Sequence, residues 1–268
     1  MKKYDLTIIG GGPGGYVDAI KAAQLGMSVV LIEKEAVGGV CLNCGCIHTK
    51  AMLKSAKVFH TLKHTDDYGI SFDQNSISID YPKMIARKDA IVAKLTGAVK
   101  GLLKKNGVTV IEGFANAIDA RHVEVNGETI ESTNLIIATG ASPAFPPIKG
   151  LKEAYSRGFV VTSKEILTKT TLPKSLIVIG GGVIGMEFAT IFNTLGVNVK
   201  ILEREAMPLV TVDDEIRTLF LKKIVKDGIT VITGANITEI TETGVICDKG
   251  GIITKLDAEL ILLATGMR

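Results

Sequence analysis

Cys41, Cys44 and Cys46 fall within six consecutive positions, and Lys50 follows four residues after the last of them. The C-x4-C spacing of Cys41 and Cys46 is short enough to close a small-loop disulfide. From Cys46 onward, Ile47, Ala51, Leu53, Ala56, Val58 and Phe59 recur at helical spacing, which puts Cys46 near a helix N-terminus. There the helix dipole and Lys50 would favour thiolate, while the other cysteine, nearer solvent, could exchange with an external dithiol. A rival chemistry is metal binding, because Cys41, Cys44, Cys46 and His48 supply four soft or borderline ligands. Structural zinc sites use two separated ligand pairs, however, and these four crowd into eight residues. Cys44 reads either as a small packed residue or as an alternative partner for Cys41 or Cys46. His60 and His64, four apart, read as a metal pair or as a solvated helix face, and Cys247 as a buried thiol.

These thiols must be positioned by the elements around them, and those elements repeat. A short apolar strand at 4–9 leads into Gly10-Gly-Gly12-Pro-Gly-Gly15, then a helical pattern, then a strand ending at Glu33. The same order returns at 175–179, Gly180-Gly-Gly182-Val-Ile-Gly185, a helix, and a strand ending at Glu203. The two copies are offset by 170 residues throughout, Gly10 to Gly180 and Glu33 to Glu203 alike. In each G-x-G-x-x-G the first glycine makes the turn, the second admits a pyrophosphate and the third lets helix pack on strand. The helix N-terminus supplies oriented N–H groups, and the acid at the next strand's end accepts from a ribose. Glu203 favours NAD over NADP, since a carboxylate repels a 2′-phosphate. Two nucleotide sites on one chain follow, and a thiolate held against a flavin ring could pass electrons to it.

Between the copies, 80–105 reads as a long helix. A β-meander follows at 108–112, 116–119 and 122–131, turning at Asn126-Gly127, and 134–138 is a buried strand. Pro143, Pro146 and Pro147 mark a linker. The second half has a helix near 213–226, a meander from 229 to 255, and a closing strand at 260–264. A net charge of +3 with interspersed signs gives no argument for nucleic acid or an anionic membrane. No apolar run approaches a membrane span, and the N-terminus reads as a strand rather than a secretory signal, so a cytoplasmic location is expected.

At GGVCLNCGCIHTK, residues 38–50, the sequence resembles the flavin disulfide reductases, whose pattern there is GG(T/V)CLNVGCIP(S/T)K. The resemblance runs the length of the chain, through GGGPGGYV, GFA at 113–115, ATGASP at 138–143, GGGVIGMEFA at 180–189 and ATG-x-R at 264–268. Leu42-Asn43 favours the lipoamide enzymes of that family over mercuric or glutathione reductases. The resemblance implies an α/β fold of two Rossmann-like domains, each a parallel sheet with helices and a meander. FAD would bind 1–150 and NAD 151–268. The implied FAD contacts are Gly10, Gly12, Gly14, Gly15, Glu33, Lys34, Gly39, Val40, Lys50, Gly113, Ala115, Thr139 and Gly140. The implied NAD contacts are Gly180, Gly182, Val183, Ile184, Gly185, Glu203, Ile237 and Gly266.

By the same resemblance Cys41 would be the thiol that meets substrate and Cys46 the thiol facing the flavin, with Lys50 paired to Glu187. Electrons would pass from dihydrolipoamide, free or on a 2-oxo acid dehydrogenase complex, through the disulfide and FAD to NAD. A homodimer is implied as well. Two departures stand out: Cys44 replaces valine and His48 replaces proline. The family pattern also includes a returning strand with Gly-Asp and an interface domain carrying a His–Glu base, neither of which these 268 residues contain. Little lipoamide turnover is therefore expected from these residues alone, and the alternative is a catalytically incompetent nucleotide-binding fragment with an incomplete first domain.

Overall fold

The runs VVLI, LIVI and LILL are apolar at every position, as parallel strands covered on both faces must be. The computed structural model, which describes residues 2–71 and 73–268, builds its sheets on them. The chain divides into two compact units, Met1–His48 with Lys88–Ala141, and Thr49–Arg87 with Ser142–Arg268. The sequence suggested a single cut after residue 150. The structure instead groups 49–87 with the second unit, so the crossings at 48/49 and 87/88 fall inside the helices Cys46–Lys63 and Tyr81–Lys105.

The first unit contains β1 (Lys2–Ile9), α1 (Pro13–Gln24), β2 (Val29–Glu33) and α2 (Gly39–Cys44). Helices α3 (Cys46–Lys63) and α4 (Tyr81–Lys105) follow, then β3 (Thr109–Glu112), β4 (Ala115–Ala117), β5 (His122–Val125) and β6 (Glu128–Ile137). Its sheet has the order β3-β2-β1-β6-β5-β4, with the first four strands parallel. Alternate side chains of β2 serve two cores: Val29 and Leu31 join Leu6, Ile8, Ala19 and Leu103, whereas Val30 and Ile32 join Val123, Val125 and Ile130.

Two sequence expectations change here. The segment at 108–112 belongs to the parallel sheet beside β2 rather than to the meander. The long α4 supplies the crossover that a parallel connection needs. The expected separate strands at 122–131 and 134–138 are also partly one: β6 runs unbroken from Glu128 to Ile137, antiparallel to β5 and parallel to β1.

The second unit adds α5 (Leu151–Ser156), β7 (Val160–Val161), β8 (Ser175–Ile179), α6 (Val183–Thr194), β9 (Asn198–Leu202) and α7 (Asp214–Lys226). Then come β10 (Thr230–Ile232), β11 (Asn236–Ile240), β12 (Gly244–Lys249), β13 (Ile252–Asp257) and β14 (Leu260–Leu263). A parallel sheet of order β10-β9-β8-β14-β7 is accompanied by the antiparallel β11-β12-β13. Here too the first strand of the expected meander, β10, pairs in parallel with β9. In β8, Leu176 and Val178 enter one core and Ile177 and Ile179 the other; β14 divides in the same way. Each such buried side chain contributes about 1.5–3 kcal/mol. Among the described residues no helix is long and apolar enough to cross a membrane.

Candidate nucleotide and thiol sites

Each glycine turn is held by the strand next to it and by the Ala-Thr-Gly that closes its half. Gly10 donates to the Ile32 carbonyl at 2.8 Å and has φ +107°; Gly180 donates to Leu202 at 2.9 Å and has φ +106°. A Cβ at Gly10 would sit 2.2 Å from the Ala138 carbonyl oxygen, and one at Gly180 2.4 Å from that of Ala264. The closing segments therefore pass where any side chain would lie, a role the sequence did not disclose. Gly15 and Gly185 are equally confined, with Cβ positions 1.8 Å and 2.1 Å from the carbonyl oxygens of Gly10 and Gly180.

Gly11 and Gly181 abut the Glu33 and Glu203 side chains, whereas Gly12, Gly14 and Gly182 are open. A Cβ at Gly12 would meet only Gly39 Cα at 3.7 Å, and one at Gly14 only the Ala138 Cβ at 3.9 Å; at Gly182 it would meet nothing within 4 Å. Gly12 and Gly182 are the N-caps of α1 and α6, and neither provides a side-chain cap. The first turns thus open beside free space with no side-chain cap acceptor, which is a cradle fit for a pyrophosphate.

Glu33 and Glu203 each hold two backbone N–H groups. Glu33 Oε2 accepts the Gly11 N–H at 2.6 Å and Oε1 accepts that of Glu35 at 2.8 Å. Glu203 repeats this with Gly181 at 2.6 Å and Glu205 at 2.8 Å. Each carboxylate ties the glycine turn to the loop after the next strand. A carboxylate has about four lone-pair sites, so sugar hydroxyls can still be accepted. Gly113 lies beside Glu33, donating to its carbonyl at 2.9 Å, and is followed by Ala115 on β4. Exposed Lys34 follows Glu33 directly. Thr139 and Gly140 continue from β6, Val183 and Ile184 open α6, Ile237 lies on β11, and Gly266 follows β14 with φ +111°.

The cysteine segment contains two helices where the sequence suggested one. Cys41 and Cys44 are half-buried on α2, and exposed Cys46 opens α3 beyond the break at Gly45. A Cβ at Gly39 would lie 2.5 Å from Gly12 Cα, so α2 starts in backbone contact with the first glycine turn; exposed Val40 follows it. Asn43, given no role by sequence reasoning, anchors this helix through Nδ2 to the carbonyls of Ala36, Val37 and Gly39 at 3.1, 3.2 and 3.0 Å. Among the described residues no three His, Cys, Asp or Glu side chains converge as a metal site. The exposed His60 ring near the end of α3 and the His64 ring just beyond it stack at 4.1 Å.

His48 is buried, and neither ring nitrogen has a hydrogen-bond partner among the described residues. Burial holds its pKa below the usual 6.5, and the nearby Lys88 ammonium adds to this; Asp89 and the polar backbone of Asn43 and Leu42 oppose it. Because the folded state resists protonation, the unfolded chain takes up the proton first as pH falls. The contribution of neutral His48 is therefore intact above pH 6.5 and is lost as pH drops from there toward the folded pKa. His48→Leu is expected to flatten the acid limb of melting temperature against pH, read from parallel scans between about pH 5 and 7.5. An unchanged limb would refute this.

Lys50 Nζ lies 2.5 Å from Glu187 Oε1, joining α3 to α6 within the second unit. The lysine side chain is 59% exposed, so the pair adds at most about 1 kcal/mol to stability.

The family profile for pyridine nucleotide-disulphide oxidoreductases matches residues 4–268. The chain is 49% identical over 267 residues to the dihydrolipoyl dehydrogenase of Acholeplasma laidlawii, covering all of this chain and 79% of that protein. It is 38% identical over 272 residues to the dihydrolipoyl dehydrogenase of Bacillus subtilis (strain 168), covering 98% of this chain and 58% of that one. Among solved structures, the HOCl-induced flavoprotein disulfide reductase RclA from Escherichia coli superposes with a TM-score of 0.83 at 29% identity. It covers 99% of this chain and 57% of its own.

Proposed function

Because this chain belongs to the pyridine nucleotide-disulphide oxidoreductase family, we propose that it forms the nucleotide- and thiol-bearing part of a dihydrolipoyl dehydrogenase. The family uses FAD and NAD, and the two open glycine turns, each with its own acid, fit two dinucleotides. That duplicated cradle is the observation that carries the reading. The relatives' names favour dihydrolipoamide over the mercuric and glutathione substrates.

On this reading Gly12, Gly14 and the N-terminus of α1 hold the FAD pyrophosphate, with Glu33 at the ribose and Gly113 and Ala115 toward the adenine. Gly182, Val183 and Ile184 hold the NAD pyrophosphate, with Glu203 at the ribose. When bound, the flavin supplies a two-electron carrier between the dithiol and the nicotinamide. Cys41 Sγ exchanges with the substrate dithiol, and Cys46 Sγ, released as thiolate, is the thiol presented to the flavin. Asn43 keeps α2 seated on the loop after β2. Glu187 holds the Lys50 ammonium, which keeps a positive charge on the helix that carries Cys46. Dihydrolipoamide of a 2-oxo acid dehydrogenase complex is the expected partner, with a second copy in a homodimer and a cytoplasmic location.

The test is to load the purified chain with FAD, titrate one sample with NADH, and add dihydrolipoamide to a separate sample whose flavin is still oxidised. One flavin and one NADH per chain, with flavin bleaching by the dithiol, is the expected result; a colourless chain that binds neither nucleotide sinks the proposal. Glu187→Gln is expected to slow dithiol-dependent bleaching about tenfold, or 1.4 kcal/mol. Its melting temperature should move by less than about 3 °C, because the ion pair is largely exposed.

A further inference from the structure

We propose that Cys44 is a second exchange partner for Cys41, so that this cluster forms a Cys41–Cys44 disulfide as well as Cys41–Cys46. The inference rests on the reading of Cys41 and Cys46 as the redox pair. Its basis is the way the backbone divides the three thiols. Cys41 and Cys44 lie on the same helix, α2, three residues apart. Residues at that spacing are neighbours on one helical face, with Cβ atoms about 5–6 Å apart. A disulfide needs about 3.5–4.5 Å, a shortfall that a helix's last turn can close.

Cys44 is that last turn. The next residue, Gly45, leaves the helix with φ −148° and ψ −116°, so the chain after Cys44 is already off the helical path. Cys46 starts the following helix on the far side of the break. A Cβ at Gly45 would lie 2.8 Å from the Val40 carbonyl oxygen, so the break is packed tightly against α2. Cys41 thus has one candidate partner within its own helix and another across the kink. The partner within α2 also closes the smaller loop, at lower entropic cost.

The exchange needs no outside oxidant once the cluster is oxidised. Cys44 gives up its proton and its thiolate attacks Cys41 Sγ in line with the existing bond. The Cys41–Cys46 bond breaks as the Cys41–Cys44 bond forms, and Cys46 leaves as thiolate and takes up a proton. The number of disulfides is unchanged. The product keeps the two-electron oxidation on α2 and returns Cys46 to the thiol form.

The experiment uses the full purified chain, oxidised with lipoamide and quenched in acid with a light maleimide. It is then reduced and labelled with a heavy maleimide. Trypsin releases residues 35–50 as one peptide containing all three cysteines, and fragmentation places each label. The expected pattern is heavy label on Cys41 in every oxidised chain, with light label shared between Cys44 and Cys46. At least about one oxidised chain in ten should carry it on Cys46, since the two disulfides are similar in kind. Cys44→Val is expected to place heavy label on both Cys41 and Cys46 in every oxidised chain. Light label confined to Cys44 overturns the inference and leaves the Cys41–Cys46 reading standing. Light label on Cys41 overturns the inference in favour of a Cys44–Cys46 bond. Absence of heavy label throughout overturns both.

Discussion

Gly15→Ala is expected to lower the stability of the first unit by more than about 3 kcal/mol, enough to leave much of the purified chain unfolded and unable to hold a flavin. The added methyl would fall 1.8 Å from the Gly10 carbonyl oxygen. That oxygen has nowhere to retreat. Gly10 is fixed by its hydrogen bond to Ile32 at 2.8 Å and by the Ala138 carbonyl against its Cα. Gly14→Ala, one residue earlier on the same helix, meets only the Ala138 Cβ at 3.9 Å. It should be neutral, or stabilising by up to about 1 kcal/mol through helix propensity. Gly185→Ala, 2.1 Å from the Gly180 oxygen, should behave in the second unit as Gly15→Ala does in the first. Thermal unfolding followed by circular dichroism checks the set. Equal melting temperatures for Gly14→Ala and Gly15→Ala would rule out the close approach.

The same comparison shows why some of this site was legible and some was not. The glycine spacing, the acids at Glu33 and Glu203 and the 170-residue offset depend on residue type, so they can be read from the sequence. The reason for the closing Ala-Thr-Gly cannot be read there. It acts through the backbone carbonyls of Ala138 and Ala264, which carry no side-chain signature. The strands at 109–112 and 230–232 escaped their sheets for a related reason. Each is short, sits at a sheet edge and is followed closely by antiparallel strands, so its partner is set by the preceding helix rather than by its own pattern. The division of the cysteine segment into α2 and α3 was hidden too, because the break occurs at Gly45, inside a run with few apolar markers. Asn43 escaped because three carbonyls from a loop define its role, and sequence spacing does not reveal them.

Glu203→Ala is expected to weaken NADH binding about 100-fold while Glu33→Ala leaves it unchanged, measured by fluorescence titration of each folded variant. Both oxygens of Glu203 are engaged, with the Gly181 and Glu205 N–H groups. Hydrogen bonds to a charged group are worth about 1.5–3 kcal/mol each. Removing the carboxylate frees the turn that shapes the cradle and also removes the proposed ribose acceptor. A tenfold loss of affinity corresponds to about 1.4 kcal/mol, so 100-fold requires only part of that energy. Glu203→Gln keeps the side-chain oxygen for Gly181 but turns an N–H toward Glu205, and should fall between the two. Glu33 makes the same pair of bonds in the other unit, which makes it the control for general destabilisation. If Glu33→Ala weakened NADH binding and Glu203→Ala did not, the two nucleotides would have to exchange units. If neither did, these acids would be fold clamps alone, and the ribose would have to be held elsewhere.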